Sequence, residues 1–186
     1  AFGSSLNAFL FGLDEGFYYR TLGGEITSSD VGGGGFTWRL FGEQQRNAKV
    51  ETQFSLAHAM NDVQFLPNVP ATRGTIGGAS VRYSHTFGLD PEGWRLFTDT
   101  RAEAATGTFD YTRGSLDATV SRGLGAGFAA ALTGSAGTSG GTLPPQRAYF
   151  IGGSQTVRGQ RPSLTLPGQV GNSYWLGRAE LGKDLP

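Results

Sequence analysis

Hydrophobic and polar residues alternate at every second position along most of the chain, which is the pattern of a β-strand with two unlike faces. The clearest run is 48–60, where Val50, Phe54 and Leu56 alternate with Lys49 and Glu51. Helical periodicity is nearly absent, so the pattern predicts an all-β chain. We expect nine strands, at about 2–12, 16–27, 35–42, 48–60, 75–88, 94–106, 109–122, 126–138 and 173–183.

The connections between these strands alternate in length. We expect tight turns at 12–16, 42–48, 88–94 and 122–126, and longer loops at 27–35, 60–74 and 139–172. The connection at 106–109 departs from this order, because it is short where a long loop is due. A meander with short turns at one end and long loops at the other is typical of an antiparallel transmembrane β-barrel. Strands of roughly 10 to 14 residues also fit a tilted bilayer crossing, whereas soluble strands usually have five or six residues.

The strand at 94–106 indicates what each face of such a sheet meets. One face carries Trp94, Leu96 and Ala102. The other face carries four charged residues, Arg95, Asp99, Arg101 and Glu103. A barrel in lipid closes so that every backbone polar group has a partner, and it keeps its charges inside. We therefore expect the charged row to face a lumen and the apolar row to face lipid.

The short hairpin at 106–109 predicts the pairing of charges across two strands. A three-residue loop there sets Glu103 beside Arg113, and it sets Arg101 between Arg113 and Asp117. Cross-strand pairs of opposite charge contribute roughly 0.2 to 1 kcal/mol each. The sign pattern is therefore a favourable one for a charged inner wall.

Composition supports a β-protein that exposes apolar surface. Glycine supplies 31 of 186 residues and aromatic residues 12%, while charged residues reach only 16%, against about 25% in ordinary soluble domains. Fifteen basic residues balance fifteen acidic ones, so no net charge recruits nucleic acid or an acidic membrane surface. Cysteine is absent and the two histidines, His58 and His85, are far apart, so we expect no metal site and no cofactor. A GxSxG match at 137–141 has neither the strand-to-helix turn nor the histidine that a hydrolase needs, so we expect no enzymatic activity.

Nine is an odd number of strands, whereas single-chain bacterial barrels have an even number. An open nine-stranded sheet would leave two unpaired edges in hydrocarbon. We therefore expect the chain to be a piece of a longer barrel, or else one part of a larger wall. The alternative fold is a soluble β-sandwich whose polar face is simply wet; strand length, few charges and the loop asymmetry favour the barrel.

The long connection at 139–172 contains a motif that the other loops lack. Its core, Phe150-Ile151-Gly152-Gly153 followed by Val157-Arg158-Gly159, resembles the signature loop of the bacterial surface antigen superfamily. That superfamily holds outer-membrane protein insertases, assembly factors and two-partner-secretion transporters. The resemblance is specific over about ten residues; it departs at Gln160, where the family usually has Tyr or Phe, which indicates a divergent member.

The resemblance implies a place for this chain in a sixteen-stranded barrel. The signature lies on the sixth extracellular loop of the family, between strands eleven and twelve. Residues 1–186 would then be strands four to twelve, and the periplasmic POTRA domains and the remaining strands would lie outside the chain. The location implied is the bacterial outer membrane, with the lipid bilayer, nascent outer-membrane or secreted proteins, and periplasmic or lipoprotein accessory subunits as partners.

The resemblance also implies a role for the loop motif. The loop residues concerned are Gly152, Gly153, Val157, Arg158 and Gly159. In the family this arginine pairs with an acidic residue of the inner wall, usually on strand thirteen, which we expect to lie outside this chain. A guanidinium offers a planar fork of donors that suits a carboxylate. The carboxylates available on inward positions here are Asp99, Glu103, Asp117 and Glu180. Two other functions stay open: a passive porin-like channel that the loop constricts, and a structural accessory subunit of a larger outer-membrane complex.

Overall fold

The computed structural model describes residues 18–28, 30, 34–48, 68–90, 92–152, 156–157 and 169–183. Within these residues the protein is all-β and antiparallel. The strands are β1 (Tyr19–Thr27), β2 (Phe36–Asn47), β3 (Gly74–Phe87), β4 (Trp94–Gly107), β5 (Tyr111–Gly125), β6 (Phe128–Gly141), β7 (Tyr149–Phe150), β8 (Val170–Gly171) and β9 (Ser173–Lys183), with one 3-10 turn at Pro145–Arg147.

The strands form two sheets. Seven strands make one sheet in the order β1-β2-β3-β4-β5-β6-β9, and β7 pairs with β8 in a second, two-stranded sheet. In this order β1 and β9 are the two edges, so the described part of the large sheet is open. The expected all-β, antiparallel class is confirmed; the closed transmembrane barrel stays a prediction.

Seven of the nine predicted strands correspond to strands of the large sheet. The prediction at 2–12 and nearly all of the one at 48–60 lie outside the described residues. Several strands are longer than predicted: β2 continues to Asn47, β5 to Gly125 and β6 to Gly141. The loop expected at 139–172 therefore begins only after Gly141.

The predicted tight turn at 42–48 is wrong, because β2 continues through it to Asn47. β2 is also hydrogen-bonded directly to β3. The Ser84 N–H donates to the Gly35 carbonyl, and Phe41 lies beside Gly77 and Gly78, so the two strands are antiparallel. The expected meander, in which another strand precedes 75–88 as its neighbour, is therefore wrong at this point.

This pairing changes which connections share an end of the sheet. Antiparallel neighbours reverse direction at each step, so the connections 28–35, 88–93 and 126–127 leave from one end, which we name the short-turn end. The connections 48–73, 108–110 and 142–172 leave from the opposite end, which we name the long-loop end. The loop at 27–35 was expected among the long loops and lies at the short-turn end instead. The asymmetry of the two ends survives this correction, with 108–110 as the short exception.

The turn at 126–127 shows why this end can be tight. Gly125 pairs with Phe128, and both central residues, Ala126 and Gly127, have positive φ (52° and 75°). Type I′ hairpin turns need that conformation at both central positions, and their twist matches that of the flanking strands. Gly125 itself has φ 82°, so glycine residues make this hairpin possible.

The chain divides into two compact units. One comprises Ala1–Leu22, Gln45–Gly74 and Pro144–Gly171, and the other comprises Gly23–Gln44, Thr75–Leu143 and Asn172–Pro186. The second unit has an apolar cluster of Phe41, Ile76, Ala105, Phe109 and Tyr111, against which Leu143 packs. This cluster lies towards the long-loop end, where β3 begins and β4 ends.

Two hydrogen-bonded amide side chains, the buried Gln146 and the half-buried Asn68, join the segments of the first unit. Gln146 donates to the Gln45 side-chain oxygen at 2.6 Å and to the Thr72 carbonyl at 2.9 Å, and it accepts from the Thr72 N–H at 3.0 Å. Asn68 donates to the carbonyls of Tyr18 and Ala48 and accepts from the Tyr18 N–H. Buried amides that are fully hydrogen-bonded specify one arrangement of the backbone around them.

Candidate functional site: a charged sheet face and an inserted loop

The large sheet has two faces of opposite character. We name the face that carries Asp99 the polar face and the one that carries Trp94 the apolar face. In β2 the alternation of exposure is nearly strict: Phe36, Trp38 and Leu40 are exposed, while Phe41 and Glu43 on the other face are buried. The expectation that charged and apolar rows lie on opposite faces is confirmed, and the polar face is the less exposed one.

Large side chains of the apolar face form continuous rows across the strands. Leu96 is the cross-strand partner of Val120, and Val120 is the partner of Leu132. Two rows further along the same face, Ala136 pairs with both Leu116 and Trp175. Trp175 is 82% exposed and Leu132 63%. Soluble monomers rarely expose contiguous apolar patches beyond a few hundred Å².

The polar face is organised around Asp99, which is only 2% exposed. Its two carboxylate oxygens accept from Nε of Arg82 and Nε of Arg101, both at 2.6 Å. Arg82 and Arg101 lie directly opposite each other on β3 and β4, where two like charges would repel. The Asp99 carboxylate therefore compensates a pair of cations that are themselves about half exposed.

Glu103 and Arg113 form the second charged pair of this face. They are direct cross-strand partners, and Arg101 lies opposite Ser115, between Arg113 and Asp117. Both predicted pairings are thus confirmed, since the turn at 108–110 has three residues. Arg113 Nε lies 3.2 Å from Glu103 Oε1, and the Tyr111 hydroxyl donates to the same oxygen at 2.8 Å.

The other two candidate carboxylates lie on the same face but have different surroundings. Asp117 is the cross-strand partner of Asp99 and accepts a short hydrogen bond from the Ser135 hydroxyl. Glu180 on β9 has a side chain 42% exposed, with its Oε1 3.7 Å from Nε of Arg178. The structure therefore brings all four candidates to one face, and it pairs Asp99 and Glu103 most closely with arginines of neighbouring strands.

The connection at 142–172 contains a short antiparallel ladder formed by β7 and β8. Tyr149 pairs with Gly171 and Phe150 with Val170, and the Ile151 N–H donates to the Gln169 carbonyl at 2.8 Å. The segment 151–169 therefore leaves and returns through two adjacent antiparallel strands. The β7–β8 ladder therefore places Ile151 and Gln169, at the two ends of this segment, next to each other.

Gly152 begins the motif with a conformation that favours glycine. Its φ is 138°, which residues with a Cβ rarely adopt. The Thr156 hydroxyl accepts from the Gly152 N–H at 2.7 Å and donates to the Gly152 carbonyl at 2.8 Å. Two hydrogen bonds of one side chain therefore join Thr156 to the Gly152 backbone. Gly153, Arg158 and Gly159 lie outside the described residues, so the predicted pairing of Arg158 with a wall carboxylate stays a prediction.

The hairpin turn at 108–110 holds a titratable group at the long-loop end. Asp110 Oδ1 accepts from the Thr106 hydroxyl at 2.6 Å and from the Gly107 N–H at 3.3 Å. The Thr106 hydrogen bond, followed by that of Gly107, lowers the pKa of Asp110 from its ordinary value, because both bonds favour the ionised carboxylate.

Sequence reasoning missed Arg82, Tyr111 and Thr156. Arg82 could have been found from the sequence. If β3 and β4 pair across the connection at 88–93, the strand register places Arg82 near Asp99. The Tyr111 hydroxyl and the Thr156 hydroxyl left no signal, because their partners depend on side-chain direction within the fold.

Two features are absent from the described residues. None of their His, Asp and Glu side chains cluster in groups of three that could hold a metal ion. None of their helices is long and apolar enough to cross a membrane. No family model matches the chain, and neither the curated proteins nor the solved structures contain a significant match to it.

Proposed function

We propose that this chain is part of an outer-membrane β-barrel that inserts, assembles or translocates other proteins, without covalent chemistry. The observation that carries the proposal is the inverted polarity of the large sheet: Asp99 is buried while Trp94 on the same strand is 65% exposed. This arrangement suits a wall between lipid and a polar lumen. In water it would leave a hydrophobic surface uncovered.

The loop motif supports the protein-handling role. The paired strands β7 and β8, and the hydrogen bonds between Gly152 and Thr156, belong to the connection that contains Arg158. Together with the resemblance of this connection to the surface antigen superfamily, they support a mechanical role: Arg158 pairs with a wall carboxylate and keeps the barrel in a competent shape. Substrate strands would then pair with exposed strand edges, where backbone groups are available.

The test is Arg158→Ala in the full chain in its native membrane, with Arg161→Ala as the matched control from the same loop. We expect the first variant to insert normally and to lose assembly or secretion of other proteins, and the control to keep both. Insertion is measured by protease protection and heat-modifiable migration. Normal assembly and secretion by Arg158→Ala would overturn the proposal.

A passive porin-like channel is the second candidate, because a polar face that continues across the sheet can also line a solute path. Conductance recordings with and without residues 143–172 separate the two. A passive pore continues to conduct solutes, with higher conductance when a constricting loop is removed, and shows no effect on assembly of other proteins.

An accessory subunit instead co-purifies with one fixed complex from native outer membrane.

A further inference from the structure

Two cation–aromatic pairs lie on the apolar face at the short-turn end. The Arg122 guanidinium lies 5.2 Å from the centre of the Trp94 ring, and the Lys183 ammonium lies 5.0 Å from the centre of the Phe128 ring. Each cation is the direct cross-strand partner of its aromatic residue. We name these four residues the cation–aromatic row.

Neither cation of this row is neutralised by a carboxylate within the part of the chain that the structure describes. Acidic groups do occur nearby in sequence: Asp90 and Glu92 lie in the connection before Trp94. The Asp90 carboxylate accepts from the Glu92 N–H within its own turn. The aromatic rings hold the two cations without cancelling their charge, since a cation is attracted to the ring face without being neutralised.

Within β3, β4, β5, β6 and β9 the two cations lie at one end of the apolar face, whereas β2 carries Arg46 on that face at the long-loop end. The apolar-face positions of β3, β4, β5, β6 and β9 carry no other Lys or Arg, and both cations are at the short-turn end. Towards the middle of the sheet come the rows that contain Leu96, Val120 and Leu132. A charge at the margin of an apolar face, with its stem along that face, is the arrangement of side chains at a lipid–water boundary.

We propose that Arg122 and Lys183 bind the phosphate of anionic lipid headgroups, with Trp94 and Phe128 at the boundary between headgroup and acyl chain. This inference rests on the proposed membrane location. It adds the class of lipid that is bound and the depth at which the sheet lies in the bilayer. The two cations lie on β5 and β9, on either side of β6, so each can contact a separate headgroup phosphate. Phosphatidylglycerol fits the charge, whereas phosphatidylcholine carries a cation of its own beside its phosphate.

The experiment uses tryptophan fluorescence of the full chain inserted in vesicles of brominated phosphatidylglycerol mixed with unlabelled phosphatidylcholine, and in the reverse mixture. Trp38, Trp94 and Trp175 all lie on the apolar face, so quenching reports the lipids in contact with that face. The variant is Arg122→Gln with Lys183→Gln. The control is Arg95→Gln, which is at the same end but on the polar face.

At low salt we expect the wild type to favour the anionic lipid by about fivefold for each cation, the increment of a basic side chain at an anionic surface. The double variant should lose this preference, the control should retain it, and high salt should weaken it. Equal quenching by both lipids in the wild type, or an equal loss in the control, would overturn the lipid site while leaving membrane embedding intact. If neither lipid quenches the fluorescence, the proposed membrane location itself is wrong.

Discussion

The two faces of the large sheet are built from the same strands and meet different surroundings. On β4, Trp94 is 65% exposed and Asp99 is 2% exposed, five residues apart on opposite faces. Burying a large apolar side chain stabilises a protein in water by about 1.5 to 3 kcal/mol. A water-soluble sheet would therefore turn Trp94, Leu132 and Trp175 towards its core. The comparison indicates that something outside the described residues, either a surrounding medium or a partner, covers the apolar face.

A charge at the centre of the apolar face should have the largest effect. Leu116→Arg, near the middle of β5, should destabilise the inserted protein by about 2 to 4 kcal/mol, the cost of Arg at a bilayer midplane. If that face were in water, the change should stay within about 0.5 kcal/mol. Urea unfolding from vesicles measures the difference.

Thr119→Arg is the matched control, because Thr119 lies on the polar face of the same strand and shares a hydrogen bond with Thr133. We expect it to cost about 1 kcal/mol, the worth of a lost hydrogen bond. Equal losses in Leu116→Arg and Thr119→Arg would remove the distinction between the two faces.

Removal of the buried charge on the polar face should have the next largest effect. Asp99→Asn leaves Arg82 opposite Arg101 without compensation. We expect a loss of about 2 kcal/mol, below that of a fully buried pair because both arginines are half exposed. Urea unfolding again supplies the measurement.

A double-mutant cycle with Arg82→Gln tests the cause of that loss. The second change should cost less in the Asp99→Asn background than in the wild type, because it then removes a repulsion. Additive effects would show that the two groups do not interact.

The partly buried Glu103–Arg113 ion pair of the polar face should matter less. Glu103→Gln weakens the contact with Arg113 and keeps an acceptor for the Tyr111 hydroxyl. We expect a loss of about 0.5 kcal/mol, within the range of cross-strand charge pairs. Glu180→Gln is the comparison, and it should change the unfolding free energy less, since Glu180 Oε1 is 3.7 Å from its arginine. A larger effect of Glu180→Gln would contradict this order.

The smallest effect concerns the carboxylate of Asp110 in the turn at the long-loop end. Because the folded-state pKa of Asp110 is lowered, the ionised carboxylate stabilises the hairpin above its unfolded pKa, about 4. This contribution should be lost as the pH falls through the still lower folded-state pKa. The amide resonance of Gly107, which donates to Asp110, should shift in that acidic window, and in Asp110→Asn the shift should disappear. A Gly107 resonance that shifts equally in Asp110→Asn would assign the titration to another group.

Features set by residues close together in the sequence could be predicted, whereas contacts between residues far apart in the sequence could not. Alternation along one strand predicted seven strands of the large sheet and the character of both faces. A short turn fixes its own register, so the pairing of Glu103 with Arg113 was predicted correctly. Strand order across a long connection was not: the direct pairing of β2 with β3 depends on contacts between residues far apart, and no local pattern encodes them. The candidate carboxylates were placed on the right face, but their arginine partners were only half identified.

The sequence by itself determined which side chains lie on each face, because in an extended chain successive side chains must point to opposite sides. It also determined that Gly152 tolerates a backbone conformation that other residues avoid. Only the tertiary structure decided which strands are neighbours across the long connections, and therefore that β2 pairs with β3 and that Arg122 and Lys183 lie at the same end of the apolar face. The physical reason is that pairing of distant strands selects among many registers of similar local energy, and the selection is made by the side chains that the whole sheet brings together.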